Sequence, residues 1–346
     1  VNTVVRSAPG KLVLVGEYAV LEGAPALALA VDRRATVRLS ARHDDRAFIT
    51  APQLESGVVE ARLDEKARLQ WRCDAAVAAR LGLVTQIHAE LQADGMLADL
   101  RGFDLSIDTA GFVHQGHKLG LGSSAAVTVS LSAAFCAAAG DRIDVGASAS
   151  SWAPLLARHA RWQQGQGSGI DIATSLVGGL IVFQRGDGSQ LPTVESRPWP
   201  RAGLHCQFLW SGQSMSTAGQ LQRLRQWKLA EPARHAACFS RLSECAEVAV
   251  DALEQGASAF VAAVDAYACA LQKLTEASGL AIFTPAQSAL AQEARRLGAA
   301  FKPCGAGGDM GVLLTDSAEA LIQLRGSIMA SGMQALELHV DACGLR

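Results

Sequence analysis

Several kinds of feature are missing from this 346-residue chain, and each absence removes a class of function. None of its eight cysteines (Cys73, Cys136, Cys206, Cys238, Cys245, Cys269, Cys304 and Cys343) forms a C-x-x-C pair, and no Cys/His set has zinc-finger spacing. Most sit in apolar, helix-like or strand-like context and read as buried free thiols, not as a disulfide or metal framework. Cys304 stands apart because it lies inside a glycine-rich loop. Charge is sparse, at 18%, and the formal net charge is −2. With no Lys/Arg block either, nothing points to a nucleic acid or an anionic surface as partner. No run of about 18 apolar residues offers a membrane span. The opening VNTVVRSAPGK lacks the apolar core of a signal peptide, and the short run GAPALALAV is broken by Pro25. The expectation is a soluble, cytoplasmic protein. There is no internal repeat and no low-complexity tract beyond an alanine bias.

What is present suits a sizeable core. Apolar residues make up 49% of the chain, and the length fits two ordinary domains or one large one. TVVRSAPGKLVLVGEYAVLEGAPALALAVDRRATVRLSAR reads as strands broken by turns, with β-branched content in LVLVG and ATVRLSA. Asp64 to Gly95 has a helical pattern, and FDLSIDT alternates as a strand. Ala125 to Ala139 and SWAPLLARHARWQQ read as helices, and GQGSGIDIATSLVGGLIVFQRG as loop, short helix and strand. SQLPTVESRPWPRAG, rich in proline and polar residues, is the best boundary between two lobes, 1–190 and 191–346. Beyond it, LHCQFLW is a strand, followed by helices to about Arg296. AAFKPCGAGGDMGVLLTD reads as strand, glycine loop and strand, then Ala318 to Ser331 as a helix and ALELHVD as a final strand. The mixture implies an α+β or mixed α/β class.

Three loops are suited to holding charge. HKLGLGSSAA, residues 117 to 126, places free backbone N–H groups at a helix N-terminus, where they and the helix dipole favour an anion. Gly120 and Gly122 let the backbone approach a phosphate, Ser123 and Ser124 add hydroxyls, and Lys118 supplies a cation at the rim. An ordinary N-cap with turn glycines accounts for the same residues. G-x-G-x-x-A resembles a dinucleotide fingerprint with Asp141 about 20 residues on, but Asp141 follows a helix end, not a second strand. The P-loop G-x-x-x-x-G-K-[ST] is absent. In SAPGKLVLVGEYAVLEGAPAL, Pro9-Gly10 predicts a turn and Lys11 the start of a strand whose far end is Gly16-Glu17-Tyr18. In KPCGAGGDMGVLL, the glycines between two strand-like runs tolerate positive φ and expose N–H groups as an anion nest. Asp171, two residues past Gly169, sits at a helix start. It is either a dipole-stabilised carboxylate or one aimed into a cleft beside Lys11.

Taken together and in this order, APGKLVLVGEYAV, GLGSSAA and KPCGAGGDMG resemble the three motifs of the GHMP kinase superfamily. The resemblance implies a two-lobed α+β GHMP kinase fold. Its N-terminal lobe would be ribosomal S5 domain 2-like and its C-terminal lobe ferredoxin-like, with ATP and acceptor bound between them. Within the superfamily, HKLGLGSS, GQGSGIDIATSLVGG and LWSGQSMSTAG are similar to stretches of the phosphomevalonate kinases. Tyr18 stands where mevalonate kinases show His. Their metal-binding Glu, about 11 residues before the Asp, is here Ala160, flanked by His159 and Arg161. Ser211 replaces a usual Thr, the third motif lacks one Gly, and Gln164 replaces a Gly. Mevalonate kinase, or another GHMP kinase acting on a hydroxyl, is the alternative. A non-catalytic sensor and a decarboxylase on the same fold are further rivals.

The resemblance also implies roles. Lys11 and Asp171 are catalytic, and Lys118, Gly120, Leu121, Gly122, Ser123, Ser124 and Ala125 hold ATP with Mg²⁺ near Ser123 or Ser124. Glu17, Tyr18, Ser168, Gly169, Ser214, Thr217, Gly305, Ala306 and Gly307 hold a small phosphorylated acceptor. His159 is a softer candidate that reads more readily as a structural histidine, and a homodimer is left open.

Overall fold

The computed structural model describes residues 3–51, 57–140, 143, 149–165, 167–186, 190–200, 202–213, 215 and 217–346. Strand β1 (Thr3–Val15) runs antiparallel along β2 (Pro25–Arg42), and the other edge of β2 carries two partners. Its first residues pair with β9 (Leu180–Gln184), which pairs with β10 (Thr193–Arg197), and its last with β6 (Gly102–Asp108). β3 (Arg46–Thr50) joins β6 in parallel and leads to β4 (Val58–Leu63) and β5 (Leu69–Trp71). A two-stranded hairpin, β7 (Val113–His114) and β8 (His117–Lys118), precedes helix Ser123–Ala138. The second sheet has the order β12-β13-β11-β14, all antiparallel, from β11 (His205–Trp210), β12 (Ala300–Pro303), β13 (Met310–Thr315) and β14 (Gln334–Leu336).

Helix Ser123–Ala138 lies across β1 and β2. Its residues are small or apolar, and all from Ala125 to Cys136 are buried. A helix apolar on every side belongs in a core, and this one is further covered by helices Gly82–Ala93, Ala149–Trp162 and Ile170–Val177. In the second half, helices Pro232–Ala252 and Ala257–Ser278 pack on each other, and Ala257–Ser278 and Pro285–Arg296 cover β12. Helix Pro232–Ala252 also reaches β2, so the two halves share a boundary beside β1 and β2.

Four sequence expectations are corrected. Pro9-Gly10 makes no turn. β1 continues through it, and the pairing jumps from Pro9↔Arg34 to Gly10↔Val31, which leaves two residues of β2 bulged. Proline offers no N–H to a ladder, and a bulge accommodates that without breaking the strand. The helical pattern over Asp64–Gly95 begins only at Ala75, because Leu69–Trp71 pairs with β4 as β5. The Ala318–Ser331 helix is two helices, Ala318–Gln323 and Arg325–Ala330, meeting at Leu324. The final strand ends at Leu336, since the chain then crosses to the first sheet. There Val340 bridges Val31, and Ser7 and Arg346 exchange backbone hydrogen bonds of 3.0 and 2.9 Å.

Candidate active site

The glycine-serine loop enters helix Ser123–Ala138 through two left-handed residues, Gly120 and Gly122, both at φ 74°. Neither tolerates a side chain. A Cβ on Gly120 would overlap the Asp309 carboxylate, and one on Gly122 would sit 3.1 Å from Lys11 Cε. The loop is fastened to β1 by the Lys11 N–H, which donates to Leu121 O at 2.9 Å. The helix start therefore faces both a cation and a carboxylate, and its first N–H groups have no intrahelical acceptor.

Lys11 projects from β1 to within 3.3 Å of Asp171. Asp171 lies in the first turn of helix Ile170–Val177, whose N-cap Gly169 takes φ 91°. Ser175 Oγ donates to Pro9 O at 2.8 Å, so the helix bearing Asp171 is pinned to the strand bearing Lys11. Burial works against charge on Lys11, but the pairing with Asp171 and the nearby Asp309 outweigh it and hold its pKa above the ordinary lysine value. Lys11 is a fixed cation. His159 is buried and lies 3.2 Å from Ser124 Oγ through Nε2, and burial pushes its pKa down, with Lys11 adding to that and Asp171 opposing it. It is a neutral ring that orients the second serine of the loop. Arg161, beside it in sequence, turns outward to Glu90.

The third loop closes the cleft from the other half. Burial raises the Asp309 carboxyl to about 6, against which the Met310 N–H, 2.8 Å from Oδ1, and the charge of Lys11 both act. Burial pushes the Cys304 thiol up to about 12, so it is a neutral wall residue and not a thiolate. Tyr18, at a left-handed φ of 63°, donates its hydroxyl to Ala306 O at 2.7 Å and thereby joins the end of β1 to the loop. Glu17 is buried in an ion pair with the fully buried Lys302.

Two adjoining cavities result. One, of about 280 Å³, is lined by Lys11, Lys118, Gly120, Leu121, Gly122, Ser123, Ser124, Asp171, Thr217, Gly305 and Ala306 among others. The second, of about 130 Å³, is lined by Glu17, Tyr18, Ser168 and Gly169 and shares Lys11, Asp171, Thr217, Gly305 and Ala306. The Lys11–Asp171 pair thus stands where the two meet. Ala125 is buried in the helix and lines neither, and Gly307 packs its backbone on Ile282. Ser214 lies outside the described residues. Asp309 and Lys302 were not singled out from sequence. The signal for Asp309 was its place directly after the glycines, and for Lys302 a lone cation in an apolar strand run.

Among the described residues no group of three or more His, Cys, Asp or Glu is arranged as a metal cage. Mg²⁺ in phosphoryl transfer relies on one or two protein oxygens, with phosphate oxygens and water completing its octahedron. The Ser123 hydroxyl, only partly buried at the cavity wall, and the Asp171 carboxylate in the same cavity fit that demand.

No family model matches the chain. It is 32% identical over 344 residues to a phosphomevalonate kinase of Streptomyces sp. (strain CL190), covering 91% of each. It is 31% identical over 193 residues to a mevalonate kinase of Pyrococcus abyssi, 56% of this chain and 54% of that one. Among solved structures, Streptococcus pneumoniae phosphomevalonate kinase in complex with phosphomevalonate and AMPPNP superposes with a TM-score of 0.77. That match has 22% identity over 98% of this chain and 100% of the other, and is a likeness of fold.

Proposed function

The chain belongs to the phosphomevalonate kinase family of the GHMP kinases, and from that premise we propose that it transfers the γ-phosphoryl group of ATP to 5-phosphomevalonate. The product is 5-diphosphomevalonate, an isoprenoid precursor, made in the cytoplasm. The observation that carries the reading is the Lys11–Asp171 pair at 3.3 Å where a phosphate-loop cavity meets a second, smaller one. Mevalonate kinase activity is the weaker alternative, since its relatives match about half the chain.

In this reading the first cavity takes the triphosphate. The N-terminus of helix Ser123–Ala138, the Gly120 and Gly122 backbone and Lys118 hold its oxygens. Ser123 would hold Mg²⁺, which supplies positive charge to the phosphates. The second cavity, walled by Tyr18, Ser168, Gly169 and the Gly305–Ala306 backbone, takes the acceptor. Its phosphate oxygen attacks the γ-phosphorus as the bond to the ADP oxygen breaks. Lys11, charged throughout the working pH range, neutralises the oxygens between donor and acceptor. A phosphate acceptor is already ionised and needs little base, so Asp171 holds Lys11 and the acceptor in register.

The N-terminal lobe is then S5 domain 2-like and the C-terminal lobe ferredoxin-like, divided near 190/191. The strand order β12-β13-β11-β14 supports the latter assignment, with β10 and the C-terminal tail reaching back to the first sheet. A coupled ADP-release assay with phosphomevalonate, mevalonate and homoserine tests the function. Turnover is expected with phosphomevalonate, and preference for either hydroxyl acceptor would reject it.

A further inference from the structure

Lys302 has no part in the transfer chemistry, yet it is a lysine with no exposed surface. It lies next to the end of the strand that leads into the glycine loop, and its Nζ donates to two oxygens. One is the Glu17 carboxylate from the other sheet's first strand end, and the second is Pro303 O at 2.7 Å. The second oxygen of Glu17, Oε2, is buried with no hydrogen-bond partner among the described residues. An ion pair buried this completely, with one carboxylate oxygen unsatisfied, is a poor source of stability, because desolvation offsets most of its attraction. What it supplies is a fixed distance.

That distance matters because of what lies on either side. Glu17 is followed by Tyr18, in its left-handed conformation, and Pro303 by Cys304 and the Gly305–Ala306 backbone. Tyr18 OH reaches Ala306 O, and Tyr267 OH, from helix Ala257–Ser278, donates to Glu17 O at 2.6 Å. All these ties converge on one wall of the smaller cavity. Lys11 and Asp171 line the same cavity.

We propose that Lys302 is a positioning residue: through Glu17 it sets the gap between the Gly305–Ala306 backbone and the Lys11–Asp171 pair, and so the alignment of the acceptor. The inference deepens the reading that this cavity takes the phosphorylated acceptor. Misplacement by about an ångström costs transfer reactions heavily.

The test uses the full chain carrying Lys302→Met alone and Lys302→Met with Glu17→Gln. The double variant leaves no uncompensated charge, and Glu17→Gln alone serves as the control for the place of Glu17 on the cavity wall. Three quantities are read: kcat and KM for phosphomevalonate, the Kd for an ATP analogue, and amide exchange in residues 304–308 without any acceptor. The expected result for the double variant is a rise of about tenfold or more in acceptor KM with a fall in kcat, and nucleotide Kd within about twofold. Exchange is faster at 304–308 and unchanged in helix Ser123–Ala138. Failure of the wild type to use phosphomevalonate would reject the acceptor, while the exchange comparison would still decide this inference. Unchanged acceptor KM or unchanged loop exchange would overturn it. So would equal loss of both affinities, or a double variant that does not fold, since either would make the pair a stability element.

Discussion

Replacing Asp309 by Asn is expected to stabilise the protein. Asp309 is 9% exposed, and burial raises its carboxyl from the ordinary 3.8 to about 6. The folded value lies above the unfolded one, so the native state binds the proton more tightly. Stability is therefore highest when the group is protonated and is lost as pH climbs from about 4 to about 6. Above that window the full cost of the buried charge applies: a rise of about two pH units at 1.36 kcal/mol each, or about 3 kcal/mol. Asn keeps an acceptor oxygen for the Met310 N–H but gives up the favourable contact of the carboxylate with the Met215 backbone, which costs about 1 kcal/mol. The net gain at about pH 8 is about 2 kcal/mol, shrinking by about 1.5 kcal/mol at about pH 5. Urea denaturation of both proteins without nucleotide, at these two pH values, measures it. A variant that is less stable at pH 8, or a difference that does not vary with pH, would refute the argument.

Lys11→Ala and Asp171→Ala should each lower kcat by orders of magnitude while an ATP analogue still binds, as read by steady-state kinetics and calorimetry; near-normal turnover in either would end the assigned role. Gly120→Ala should raise KM for ATP and cost about 1–2 kcal/mol of stability for its left-handed backbone alone, since its methyl group also displaces Asp309. Tyr18→Phe removes the hydroxyl bond to Ala306 O and should cost about 1 kcal/mol in thermal denaturation, with a larger effect on acceptor KM than on ATP KM.

The glycine-serine loop, the Lys11 strand and the Asp171 helix were legible in the sequence because each is a local device: glycines at left-handed positions, a helix start, a cation on an apolar strand. Their convergence was not readable from spacing and came from the motif order. Lys302 escaped notice because its partner Glu17 is 285 residues away, and no local pattern marks an ion pair between two sheets. Asp309 lies inside the KPCGAGGDMG run, but its raised carboxyl depends on burial by the opposite half. The Pro9-Gly10 turn failed for a related reason. Propensity favoured a break, yet pairing along most of β2 carried the strand through as a bulge. The broken Ala318–Ser331 helix shows the reverse, a continuous helical pattern interrupted at Leu324, which is wholly buried.

The central claim is that the group receiving the phosphoryl is itself a phosphate. ³¹P NMR of the protein with ATP, Mg²⁺ and phosphomevalonate tests it directly. The account predicts loss of the monoester resonance and growth of a coupled diphosphate pair distinct from that of ADP, in step with ADP formation. A monoester resonance that persists while mevalonate, offered instead, is converted to a new monoester would contradict it.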